Sequence, residues 1–333
     1  MIKNILITGG AGYVGTMLVD RLVSENKNVI VYDTFWYGDE ENLFGSNLNK
    51  IKIYKADIRN TNDFKKAILE NKVECVIHLA CVSNDPSYEL NPELGKSINY
   101  DCFENLVKIS KDNGVQRFIY ASSSSVYGVK EEDQVTENLS LEPLTDYSKY
   151  KALCEEILIK YIDKNFIGTI VRPATVCGYS KRLRLDLSVN ILTTHAYFKN
   201  KITIFGGEQY RPNLNILDMI EFYVQALKYD PNLINGEIFN VGYENLKIKE
   251  IASLVKKIVK KDFVTETTPS NDNRSYRITS KKIAEKLGFT AKHTVEDAIK
   301  SLYQNFENKT VANPFENDLF YNVQVMKRIY ENK

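Results

Sequence analysis

Charge of one sign is missing from this sequence: 44 Lys and Arg face 43 Asp and Glu, a formal net charge of +1 over 333 residues. A chain so balanced has no long-range field to gather nucleic acid or an anionic membrane surface, and neither is an expected partner. It also lacks any apolar run near the ~20 residues needed to cross a bilayer. The opening Met1-Ile2-Lys3-Asn4-Ile5-Leu6-Ile7 leads straight into a glycine turn, without the long apolar stretch and small-residue cleavage site of a secretory signal. Cysteine is sparse. Cys75, Cys81, Cys102, Cys154 and Cys177 are odd in number, scattered, and without metal-ligand spacing. They read as small buried residues of a cytoplasmic protein, so neither a disulfide framework nor a bound metal is expected. There is no internal repeat, low-complexity tract or linker.

What is present is alternation. Short apolar runs at 5–8, 29–33, 51–54, 75–80, 118–122 and 167–172 are separated by amphipathic stretches at 16–24, 61–70, 99–113 and 147–163. Continuous apolar strands alternating with helices predict a Rossmann-like, doubly wound parallel α/β sheet covered on both faces. After Arg172 the pattern loosens. A helix at 187–198, a short strand at 202–205 and late helices predict a smaller mixed lobe. The expected division is 1–172 for a dinucleotide domain and 173–333 for a substrate lobe, with a strand near 237–241 free to return to the first. The tail at 313–333 shows no role.

The first strand ends in Thr8-Gly9-Gly10-Ala11-Gly12-Tyr13-Val14-Gly15. Gly9, Gly12 and Gly15 have the spacing that allows a tight turn, close approach to a pyrophosphate and close helix–strand packing. The helix N-terminus that follows, with Tyr13 and Val14, offers free N–H groups to phosphate. Such a run alone is weak evidence and can be a tight βα turn. Here a strand precedes it, a helix follows, and the second strand ends in Asp33. A carboxylate there accepts hydrogen bonds from an adenosine ribose and repels a 2′-phosphate, which predicts NAD as cofactor rather than NADP. Asp57 suits the adenine edge; by itself it is also a helix N-cap candidate.

Tyr147 and Lys151 stand four apart on a predicted helix and so share a face. The pair is common in isolation. It gains weight from following the fifth strand, which ends in the serines at 122–125, because strand ends are where ligands sit in such sheets.

These motifs occur in order with Asp57-Ile58-Arg59, His78-Leu79-Ala80, Val126-Tyr127-Gly128 and Arg172-Pro173-Ala174-Thr175-Val176-Cys177-Gly178. Together they resemble the extended short-chain dehydrogenase/reductases, the group of nucleotide-sugar epimerases and dehydratases, over roughly residues 1–289. The resemblance implies that Tyr147 is the general base at a sugar hydroxyl, its high ordinary pKa of ~10 lowered by Lys151 and the nicotinamide. It implies that Ser123 steadies the sugar oxygen, with Ser122, Ser124 and Ser125 as competitors whose other reading is backbone capping. Ile58, Leu79, Ala80 and Pro173 would line the cofactor, and Asn99 would sit beneath the active site, reaching Lys151 through water. A homodimer is implied through the helices at 99–113 and 147–163, where Leu153, Ile157, Tyr161 and Ile109 are contact candidates; the same residues also fit a core.

A nucleotide sugar needs an anchor for its diphosphate, and arginine's fork suits it. Arg211 and Arg274 stand at family-like places; a surface ion pair is the alternative for each. Ser83 and Asn84 follow the fourth strand and would line the sugar pocket with Ser124. The segment Arg182-Leu183-Arg184-Leu185-Asp186-Leu187 with Asn190 resembles a subgroup from bacterial surface-polysaccharide pathways acting on GDP-heptoses and hexoses, and marks Arg184 and Asn190 as substrate contacts. Sugar 4,6-dehydratases of the family carry Asp-Glu where Ser124 and Ser125 stand, which disfavours dehydration. Arg211-Pro212-Asn213-Leu214-Asn215 and Arg172-x-x-Thr175 also depart from the family's usual runs, which weakens transfer of a UDP-galactose substrate. The expectation is an NAD-dependent nucleotide-sugar epimerase working through a keto sugar, with C4 as the carbon oxidised. The alternatives are a net 4-dehydrogenase or ketoreductase, for example of a GDP-heptose, and a non-catalytic dinucleotide-binding protein, which the intact Tyr147 and Lys151 oppose.

Overall fold

The computed structural model describes residues 2–269 and 275–331. Twelve strands are present among them: β1 (Asn4–Thr8), β2 (Asn28–Asp33), β3 (Ile51–Lys55), β4 (Cys75–His78), β5 (Arg117–Ala121), β6 (Ile167–Pro173), β7 (Thr175–Cys177), β8 (Lys201–Phe205), β9 (Tyr210–Asn215), β10 (Glu237–Val241), β11 (Glu244–Lys247) and β12 (Val264–Thr268). Seven form one parallel sheet in the order β10-β6-β5-β4-β1-β2-β3. Alternate side chains leave opposite faces of a strand. Ile5 and Ile7 of β1 therefore enter one buried cluster with Leu18 and Val19, while Leu6 enters another with Ile30, Phe64 and Phe103. Both faces being covered is why these strands read as unbroken apolar runs. From β1 the chain winds one way through β2 and β3, then the other way through β4, β5 and β6. That reversal opens a crevice at the strand C-termini.

The remaining strands form a three-stranded sheet, β11-β9-β7, and a two-stranded parallel pair, β12-β8. The helices Ser188–Lys199, Ile248–Ile258 and Val295–Glu307 close over them around Val189, Ile202, Ile251 and Ile299.

Several expected elements differ from the structure. The strand expected at 75–80 stops at His78, one residue after which the Leu79 N–H makes its bond to Thr8. The helix expected over 99–113 is divided into a π-helical turn, Ser97–Asp101, and an α-helix, Phe103–Asp112. The wide turn falls where the Asn99 side chain bonds both backbone groups of Val82. The tail, to which no role was given, folds as a helix, Asn322–Glu331, whose Met326 joins the first-half core. Among the described residues no helix is long and apolar enough to cross a membrane.

Candidate active site

The crevice holds a cavity of about 770 Å³. The glycine turn forms its floor. Gly9 has φ +72°, and a Cβ there would lie 2.7 Å from the Ala80 nitrogen. At Gly15 a Cβ would lie 2.3 Å from the Gly9 oxygen, so only glycine lets the helix Tyr13–Ser24 pack this closely on the turn. Gly12 differs: a Cβ there meets only the Gly9 oxygen, at 3.1 Å, and otherwise points into open space. No side chain caps this helix and no acidic residue stands in its first turn. A cradle that only a Cβ would fill, below an uncapped helix N-terminus, fits a pyrophosphate.

Asp33 ends β2 on the same rim. Its two carboxylate oxygens accept from the backbone N–H groups of Ala11, at 3.0 Å, and Phe35, at 2.8 Å, tying the second strand to the glycine turn. Burial nevertheless pushes this carboxyl above the ordinary range, because those hydrogen bonds and the nearby Arg182 offset the loss of water only in part. Asp57 faces the cavity with Ile58 and pairs with Arg59 at 2.6 Å. Tyr13, Val14, Leu79, Ala80 and Pro173 complete this wall.

At the other end of the cavity the helix Asp146–Tyr161 is started by Thr145, which accepts from the Ser148 N–H. It presents Tyr147 and Lys151 beside Ser123 and Ser124, which follow β5. The Lys151 ammonium lies 5.9 Å from the Tyr147 ring centre and donates to the Ala121 carbonyl at 2.7 Å. Burial pushes the Tyr147 hydroxyl well above the ordinary tyrosine range, and Cys81 and Asp85 add to this; Arg184 and a hydrogen bond with Ser123 pull the other way. Burial outweighs both of these lowering contacts. Ser123 also accepts from the Ser125 N–H at 3.1 Å, so it caps the strand end and faces Tyr147 at once. A run of hydroxyls continues from it: Ser123 to Ser125 at 2.8 Å, Ser125 to Ser148 at 2.8 Å, Ser148 to Thr145 at 3.2 Å, and Thr145 to the Asp85 carboxylate at 2.6 Å.

The wall beyond Tyr147 is built by loops that meet only in the fold. Arg184 grips Asp186 with two hydrogen bonds, at 3.0 and 2.8 Å, and Asp186 also accepts from Asn84 at 2.7 Å. Burial raises the Asp186 carboxyl, but the Arg184 guanidinium outweighs it and holds the group below the usual range. Asn84 itself has φ +71°, a conformation asparagine tolerates better than most residues, fixed by its cap to the Ser87 N–H. Ser83, Asn84, Ser124, Arg184 and Arg211 all line the cavity.

Two expected contacts are corrected. Asn190 is fully buried behind the cavity wall; its amide bonds the Gly178 N–H, the Arg184 carbonyl and the Tyr13 hydroxyl, so it braces the arginine segment and does not face a ligand. Asn99 likewise turns its side chain to Val82 and does not line the cavity. Arg274 lies outside the described residues. Among the lining residues not singled out in advance as contacts are Tyr37, Arg182 and Asn322. Asn322 lay in the unassigned tail, where the recurrence of Val325, Met326 and Ile329 at three- and four-residue spacing is the one signal of a docked helix face.

The family described as "NAD dependent epimerase/dehydratase family" matches residues 5–242. The chain is similar to the UDP-glucose 4-epimerase of Lactobacillus helveticus, 28% identical, covering 90% of this chain and 96% of that protein. Its fold is similar to the UDP-glucose 4-epimerase of Thermotoga maritima solved with UDP-glucose, at TM-score 0.82 and 26% identity, covering 92% of this chain and all of that one. A similar match, TM-score 0.81 and 26% identity over 92% and 99% of the two chains, is the UDP-glucuronic acid 4-epimerase of Bacillus cereus with UDP-glucuronic acid and NAD. The turn that fits a pyrophosphate, the carboxylate at the end of β2 and these matches converge: the cofactor is NAD, and the chain belongs to the NAD dependent epimerase/dehydratase family.

Proposed function

We propose that this enzyme inverts a hydroxyl-bearing carbon, C4, of a nucleotide-activated sugar through a keto intermediate. The observation behind this reading is the placement of Tyr147, Ser123 and Lys151 at one end of a cavity whose other end is the pyrophosphate cradle. When bound, NAD accepts two electrons from the sugar carbon and returns them. Tyr147 takes the sugar hydroxyl's proton through its own phenolate oxygen, which its high pKa makes a strong base once ionised. Lys151, fixed by the Ala121 carbonyl, stabilises that phenolate. Ser123 donates to the sugar oxygen and orients it. Pro173, at the end of β6, walls the cofactor face, and Ser83 and Asn84 line the sugar pocket. Arg184 and Arg211, with Arg274, are the residues we assign to the sugar and its diphosphate. Neither Ser124 nor Ser125 can replace the carboxyl groups a dehydratase needs at those places; Ser124 meets the Tyr276 hydroxyl at 3.2 Å, and Ser125 sits within the hydroxyl run. The arginine segment supports a role in making sugars for bacterial-type surface polysaccharide. The working unit on this reading is a cytoplasmic homodimer; Ile157 is a core residue, which leaves the half-buried Leu153, Tyr161 and Ile109 for the contact.

The test is to denature the purified enzyme and identify the released small molecules by mass spectrometry. NAD near one per subunit, with a nucleotide sugar, supports retention through a closed cycle. An empty site with NADH made from a nucleotide-sugar panel would replace this reading by net oxidation.

A further inference from the structure

Two arginines from one segment reach the cavity, and they differ. Arg184 has its charge answered by Asp186. Arg182 has not. It is 3% exposed, and its one hydrogen bond among the described residues goes from Nη2 to the Asn322 side-chain oxygen. Its Nε has no partner, and no carboxylate of a described residue stands within 4.0 Å. Its plane rests on the Tyr37 ring, 3.9 Å from the ring centre. Burial pushes its pKa down to about 10, so it remains charged at neutral pH while surrounded by little water, with Asp33 and Asp186 near but neither in direct contact with it.

The segment that bears it is bound to the glycine turn. Tyr13 donates to the Gly178 carbonyl at 2.6 Å, Ser180 donates to the Tyr13 carbonyl at 2.7 Å, and the Thr16 and Ser180 hydroxyls meet at 3.0 Å. Arg182 follows two residues later and packs on Tyr37, which comes just after Asp33. Both attachments belong to the cofactor side of the crevice. Asn322 positions the guanidinium and, through the other end of its amide, holds the Ser83 hydroxyl of the sugar loop at 2.7 Å.

We propose that Arg182 is a cofactor-binding residue supplied from beyond the central sheet, its guanidinium answering the anionic pyrophosphate of NAD, with Asn322 of the C-terminal helix as its positioning residue. This rests on NAD being the cofactor. The same phosphate chemistry is present in the substrate's diphosphate, and the experiment separates the two.

The variant is Arg182→Met, which keeps most of the side-chain volume and removes the charge. Three readings are taken: exchange of bound NAD against labelled NAD in the holoenzyme, melting of the nucleotide-free protein, and UDP affinity of the NAD-saturated enzyme. A charge-assisted hydrogen bond to an anion predicts NAD release faster by about ten- to a hundred-fold. Removing a buried unpaired cation predicts nucleotide-free melting at the same or a higher temperature. UDP affinity should stay within about two-fold of the unaltered enzyme. NAD exchange unchanged within that margin would overturn the proposal, whether or not UDP weakens. A lower melting temperature alongside faster release would also overturn it, since the guanidinium would then be holding the fold. Should Arg182→Met not fold, Asn322→Ala is read by NAD exchange in the same way: faster release supports the proposal, and unaltered release contradicts it.

Discussion

Changing Glu155 to glutamine should destabilise the protein far more than a carboxylate-to-amide change at the surface. Glu155 lies on the helix that bears Tyr147 and Lys151, eight residues beyond the first and four beyond the second. Its carboxylate takes two hydrogen bonds from Arg172 of β6, Nε at 3.0 Å and Nη2 at 2.6 Å, and one from the Ser122 hydroxyl. Both members of the pair are about 3% exposed. Arg172 also donates to the Tyr127 hydroxyl, which donates to Asn240. The network thus ties the helix that carries Tyr147 and Lys151 to the strand that ends in Pro173. Removing one charge leaves the other buried and unpaired, a loss of about 3–5 kcal/mol. An unfolding entropy near ~2.1 cal/mol/K per residue, over 333 residues, converts that to a fall in melting temperature of about 4–7 °C. The assay is calorimetric or fluorescence-detected melting, in parallel with turnover. Replacing both partners, Glu155→Leu with Arg172→Met, should recover most of the loss, because no charge is then stranded. A fall below about 1 °C for the single variant, or a double variant no better than the single one, would refute the reasoning.

Other outcomes follow from the same structure. Burial among the Phe103, Phe118 and Tyr120 rings pushes the His78 imidazole from 6.5 to about 3. The unfolded chain therefore binds a proton the folded one refuses between those values, and stability should fall with pH below about 6.5 by up to ~1.4 kcal/mol per unit; His78→Asn should flatten that slope in denaturant titrations at pH 6, 5 and 4. Tyr147→Phe removes the proton acceptor and should lower kcat by about 10²- to 10⁴-fold while NAD per subunit is unchanged; ordinary turnover would remove Tyr147 from its role. Asp33→Ala should narrow the preference for NAD over NADP in binding titrations, and an unaltered ratio would mean the carboxylate serves only to hold the Ala11 and Phe35 N–H groups.

The central sheet was legible because burial on both faces writes itself as apolar runs, and the glycine turn because its spacing answers a steric demand at Gly9 and Gly15. That Tyr147, Lys151 and Ser123 share one cavity was legible through motif order. Asn99 and Asn190 were not: each belongs to a segment that borders the cavity, but a one-dimensional pattern does not say which way a side chain turns, and both satisfy buried backbone groups instead. Arg182 and Asn322 are 140 residues apart, and the contact between them exists only after the last helix docks. No local period announces such a pairing.

The most direct test of the account follows a label through one turnover. Nucleotide hexoses of the UDP and GDP series carrying deuterium at C4 are incubated with the enzyme in ordinary water, and both C4 epimers are analysed by NMR and mass spectrometry. The account predicts a product epimer that keeps its deuterium at C4 with no NADH accumulating at 340 nm. An epimer whose C4 deuterium has been lost to solvent, or a keto sugar formed with stoichiometric NADH, would contradict it.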